Sequence, residues 1–119
     1  MSSKLAKKYF VGGVYMIRRK TGGKALIGVT KDFETHRKTI TNQLKLGSFT
    51  NTALQKDFSE GHVFEYLVLY SESFNGESYG TFDTAPMRKK AREFIEKYDT
   101  ISNGYNRPFG GPGRKQQAV

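Results

Sequence analysis

The chain has 119 residues and a net charge of +9, from 20 Lys and Arg against 11 Asp and Glu. It holds no cysteine, which excludes disulfides, zinc–thiolate centres and a thiol nucleophile. A hydrophobic content of 36% with 13% aromatics supports one modest core in one domain and argues against disorder throughout. No apolar run approaches the roughly 18 residues of a membrane span, and the basic start lacks the apolar centre of a signal peptide. A soluble, intracellular (cytoplasmic) protein with no membrane partner is therefore expected. The basic excess favours a polyanionic partner, nucleic acid first.

Taken in chain order, residues 1–10 form a basic arm ending in Tyr9-Phe10. Val11 to Arg19 is rich in β-branched and aromatic types and predicts a strand. The glycines of Lys20 to Lys24 predict a hairpin turn, and Ala25 to Val29 is the returning strand. Thr30 or Asp32 can cap a helix reaching Leu46 and ended by Gly47, with Phe33, Ile40, Leu44 and Leu46 as its apolar face. Thr50 or Asn51 can cap a second helix through Ser59, with Leu54 and Phe58 four residues apart.

His62 to Tyr70 (HVFEYLVLY) is strongly β-like and predicts a central, buried strand. Ser71 to Pro86 is polar and contains glycine, which predicts a long surface loop. Thr84 caps the last helix, which runs to Tyr98 and buries Met87, Ala91, Phe94, Ile95 and Tyr98, with Pro86 tolerated in its first turn. The end is rich in Asn, Gly and Pro, and residues 109–119 are expected to be a flexible basic and polar tail. The order β-β-α-α-β-α predicts an α+β domain over residues 11–108, a small three-stranded antiparallel sheet flanked by helices.

Five short segments stand out in this order. Gly13-Val14-Tyr15 is followed after ten residues by Leu26-Ile27-Gly28. Thr30-Lys31-Asp32-Phe33-Glu34 comes next, then Gly47, Asn51 and Leu54-Gln55, and finally Asn103-Gly104-Tyr105-Asn106. Together they resemble the GIY-YIG nuclease family over residues 11–110, and the predicted element order is that family's core. The resemblance implies a water that attacks a phosphodiester, a divalent metal held by one glutamate, tyrosines from both motifs that help activate the water, and an arginine on the phosphate. Such groups suit the chemistry, because a cation and a guanidinium offset the charge that gathers in the transition state. A hard cation such as Mg²⁺ favours carboxylate oxygen.

Carried onto this chain, the first tyrosine is Tyr15 and the closing asparagine is Asn106. The second tyrosine falls on Leu26, which has no hydroxyl. The arginine, eight residues past Gly28, falls on His36; Arg37 is one residue on, about 100° around a helix. The glutamate, fifteen residues before Asn106, falls on Ala91. Glu93 is near in sequence but on a different helical face. Tyr15, Leu26, His36, Ala91 and Asn106 are thus the vestigial catalytic positions that the resemblance marks, and no metal ligand is assigned.

Basic residues fall in groups: Arg18, Arg19, Lys20 and Lys24 at the hairpin; Lys31, Arg37 and Lys38 at the next helix start; Arg88, Lys89, Lys90 and Arg92 around Ala91. In the family's fold these regions border the cleft that receives DNA, so they are the candidate nucleic-acid contacts. Contacts of this kind are largely independent of sequence and sensitive to salt. The expectation is a nucleic-acid binder, double-stranded DNA first, that has lost efficient cleavage, needs no cofactor and regulates DNA or antagonises an active nuclease.

Two alternatives stay open. One is an active endonuclease of phage or mobile-element type that uses Mg²⁺ or Mn²⁺ held by Glu93 or another acid. The other is a protein-interaction or inhibitor module that uses the cleft or the 71–86 loop, which carries Glu72, Glu77 and Asp83. No P-loop, Ser-His-Asp order or metal-ligand spacing competes, and Gly110-Gly111-Pro112-Gly113 lacks the setting of a nucleotide fingerprint.

Overall fold

The computed structural model describes residues 9–75 and 83–107. The elements are β1 (Tyr9–Arg19), β2 (Ala25–Thr30), α1 (Phe33–Leu46), α2 (Thr52–Ser59), β3 (Phe64–Asn75) and α3 (Ala85–Tyr98). The three strands form one antiparallel sheet in the order β2-β1-β3. The α+β architecture and its order are those the sequence predicts. No described helix is long and apolar enough to cross a membrane.

The central strand is β1, not the apolar β3. Gly13 is one reason: a Cβ there would meet the Tyr70 carbonyl oxygen at 2.0 Å, so only a glycine lets β3 come this close. β3 is an edge strand, and its Val68 is 49% exposed. β3 also runs to Asn75, so Ser71 to Asn75 is strand and not loop. Its partners are Tyr9 to Gly13, which makes Tyr9 and Phe10 part of β1 and not of a basic arm. Residues 1–8 of that arm, 76–82 of the expected loop and 108–119 with the tail lie outside the described residues.

Alternation along β1 divides the core into two layers. Val14 and Met16 face one side, where they pack with Ala25 and Ile27 of β2 and with Ala91 and Ile95 of α3. Ile17 faces the other side with Ile40 and Leu44 of α1, Leu54 of α2, Phe49 and Tyr105, while Tyr15 and Leu26 pack against this second cluster. The sheet therefore separates α3 from α1 and α2. A bulge falls opposite Val14 and Tyr15, which pair with Tyr70 and Val68 and leave Leu69 as the extra residue. Leu69 and Tyr70, though adjacent, both pack on the α3 side as a result.

The helix faces follow the sequence with two exceptions. Leu46, the last residue of α1, is 80% exposed, and Tyr98, at the end of α3, is 46% exposed. Each is the last residue of its helix. Asn51 caps α2, accepting from the Leu54 N–H at 3.1 Å. Asp32 occupies the cap position of α1 without a side-chain cap bond and instead accepts from the Thr35 hydroxyl. At α3 the cap acceptor is Asp83, which takes the Ala85 N–H at 2.9 Å, while Thr84 accepts from Arg88.

Candidate functional site

The second motif's glycine sets the geometry of the first motif's tyrosine. A Cβ on Gly28 would lie 2.4 Å from the Tyr15 hydroxyl oxygen and 2.6 Å from its ring. Tyr15 and Gly28 are direct partners across β1 and β2, so the missing side chain lets the phenol lie flat over the neighbouring strand. From there the ring meets His36 of α1 at a centroid distance of 4.4 Å and stacks on Tyr66 of β3 at 5.6 Å. His36 Nδ1 and the Tyr66 hydroxyl are hydrogen-bonded at 2.9 Å. Burial raises the pKa of both phenols and lowers that of His36. The trio is neutral at pH 7, so Tyr15 is held away from the phenolate a base would need.

Tyr15, Leu26 and His36 share one cleft of about 450 Å³. Ile40, Phe49 and Asn51 complete its inner wall, and Thr39, Gln43, Thr50 and Arg107 stand around it. Asn51 is committed to the fold: its amide donates to the Tyr105 carbonyl at 2.8 Å while its oxygen caps α2. Arg37 turns away from this cleft, its guanidinium 5.3 Å from the Tyr66 ring, and lines the depressions on either side.

Ala91 does not join this group. It is 6% exposed and lies in the α3-side cluster, across the sheet from Tyr15. Asn106 lies at the outer edge of β2. Its side chain accepts the Ile27 N–H at 2.8 Å and donates to the Ile27 carbonyl at 2.9 Å. Tyr105 adds a bond from its N–H to the Ala25 carbonyl at 2.9 Å. The closing segment thus covers the open edge of β2 in place of a fourth strand.

The structure divides the basic candidates. Arg18 is paired with Glu65, and Arg19 holds Asp57 at 3.0 Å, partners 47 and 38 residues away. Lys24 lies over the Tyr105 ring at 4.7 Å and Lys90 over Tyr70 at 5.6 Å. Lys31 and Arg92 also have partners. Among the described residues, Lys20, Lys38 and Lys89 have exposed side chains with no partner, and Arg88 is exposed beside Thr84. The α3 cations sit on the layer opposite the cleft, so the basic groups are spread over the protein and do not ring a single site.

A divalent metal of the kind the family uses does not fit the cleft. No carboxylate is among its described lining residues, and Glu93 is exposed on α3, across the sheet. One acidic grouping lies outside the sequence motifs. Asp57, Glu60 and His62, at the end of α2, bring one ligand atom each within 4.8 Å of one another. Asp57 already answers Arg19 and Tyr105, whose hydroxyl bond is the main cause of its lowered pKa, and Glu60 answers Lys56 at 2.8 Å. Protein groups thus already satisfy both carboxylates. The short D-x-x-E-x-H spacing across a helix end was the available signal.

No family model matches the chain, and no curated protein matches it. Two solved structures do. The catalytic domain of the homing endonuclease I-TevI superposes with a TM-score of 0.68 at 26% identity, covering 82% of this chain and 99% of that one. A mutant of the catalytic domain of the intron endonuclease I-TevI gives a TM-score of 0.67 at 28% identity, covering 85% and 100%. The chain therefore has a GIY-YIG-like fold, that of these catalytic domains.

Proposed function

We propose that the protein binds nucleic acid, duplex DNA first, on a GIY-YIG fold that no longer cleaves it efficiently. One observation carries this: at the positions where the resemblance implies a second hydroxyl, a phosphate-binding arginine and a metal carboxylate, the described cleft around Tyr15 supplies none of the three, and Arg107 at its rim is its one cation. Leu26 supplies no hydroxyl, His36 supplies no fixed positive charge, and no described lining residue supplies a carboxylate for a metal. The +9 charge remains, and Lys20 at the hairpin and Lys89 on α3 have exposed side chains with no partner among the described residues. Phosphate contacts need only such cations, whereas hydrolysis needs the lost groups as well. Its biological effect is then masking of DNA or competition with an active nuclease.

Combined reversal of Lys20, Lys89 and Lys90 to Glu tests the binding. Loss of low-salt duplex affinity is expected; unchanged affinity would sink the proposal. A second reading, a metal-dependent endonuclease, is favoured by the likeness to the I-TevI catalytic domain. Nicking of DNA by the wild-type chain with Mg²⁺ or Mn²⁺ would establish it.

A further inference from the structure

The cleft suits a flat, uncharged ring better than a phosphate. Its floor is apolar, built from Leu26, Ile40 and the rings of Tyr15 and Phe49. A phosphate there would bring its charge onto a surface that cannot replace its water. His36 does not offset that charge, because burial favours its neutral form. At about 450 Å³ the cleft is also far larger than a phosphate group.

The rim adds hydrogen-bonding groups that the fold does not use. Thr39, Gln43 and Thr50 have no side-chain partner among the described residues, although Gln43 is half-buried. An amide is both donor and acceptor, which matches the edge of a base and not the all-acceptor surface of a phosphate. Arg107 stands at the mouth as a single cation without a described partner. Leu26 forms part of that floor at the position where the resemblance implies a tyrosine.

We propose, on the nucleic-acid reading above, that this cleft holds one unpaired nucleobase of a bound strand. The base lies on the half-buried Leu26 beside the edge of Tyr15, with its own edge toward Gln43, and Arg107 takes the adjoining phosphate. The partner is then DNA with a bulged or displaced nucleotide rather than an unbroken duplex.

Fluorescence anisotropy at one salt concentration tests this with two labelled DNAs, a perfect duplex and the same duplex carrying one bulged nucleotide. The wild-type chain is expected to prefer the bulged duplex about tenfold, within the range of a single stacked base. Gln43→Ala and Leu26→Tyr should each bring that ratio toward one. Gln43 lies outside both core clusters, so its variant is expected to fold, which circular dichroism checks. Tight binding of both duplexes with equal affinity would overturn this inference alone, as would a ratio unmoved by either substitution. Binding of neither duplex would overturn the nucleic-acid proposal and this inference with it.

Discussion

The Tyr15 ring lies over the α-carbon of Gly28, in space that any side chain on Gly28 would occupy. The two motifs are thus one mechanical unit, with the second motif's glycine shaped to the first motif's tyrosine. This fit persists although Leu26 and His36 stand where the resemblance implies a tyrosine and an arginine. Gly28→Ala should force the phenol off β2 and loosen its contacts with His36 and Tyr66. Overpacking of this kind costs about 1–3 kcal/mol, measurable as a lowered midpoint in urea unfolding.

Asn106 binds both backbone groups of Ile27, and no other side chain is placed to do so among the described residues. Asn106→Ala leaves that N–H and carbonyl with only water to turn to. A loss of roughly 1–3 kcal/mol is expected for the unmet groups. Hydrogen exchange should quicken at the Ile27 amide more than at Met16 on the paired strand.

Local patterns made most of this fold legible. The hairpin, the three helices and their order follow from glycine placement and apolar spacing in the sequence. The second half of β3 was hidden because Ser71, Ser73 and Asn75 are polar. At a sheet edge such residues face water without penalty, so composition alone reads as loop. The centrality of β1 was hidden for the opposite reason: its glycines look weak as strand formers, yet they admit the neighbouring backbone.

At the site, Tyr15, Leu26 and His36 fell together as the motif spacing implies, because the hairpin and α1 are adjacent in the chain. The separation of Ala91 from them depends on which sheet face α3 covers, a long-range outcome that no local pattern encodes. The same holds for the pairing of Arg18 and Arg19 with Glu65 and Asp57.

Ala91→Glu places a carboxylate among Val14, Met16, Ala25 and Ile27, on the face away from the cleft. Burial of an unpaired carboxyl costs about 1–3 kcal/mol when it is protonated and more when it is ionised. The variant should melt earlier and still fail to nick supercoiled plasmid with Mg²⁺. Nicking by this single variant would mean that position 91 alone had been missing.

His36 gives the stability a pH dependence of defined sign. Its folded pKa lies below the usual value near 6.5 because burial disfavours the imidazolium. The unfolded chain therefore takes the proton first as pH falls, so His36 lowers stability progressively from about pH 6.5 downward. His36→Gln should flatten that part of a melting-temperature profile between pH 7 and 5. An equally steep profile in the variant would assign the effect elsewhere.

The most direct measurement is a titration of labelled duplex DNA with the protein, with and without Mg²⁺ or Mn²⁺, across a salt series, read for binding and for nicking in the same samples. The expected result is binding that weakens as salt rises, with the DNA left intact in every metal condition. Metal-dependent nicking by the wild-type chain would contradict the loss of catalysis inferred from Leu26, His36 and the carboxylate-free cleft.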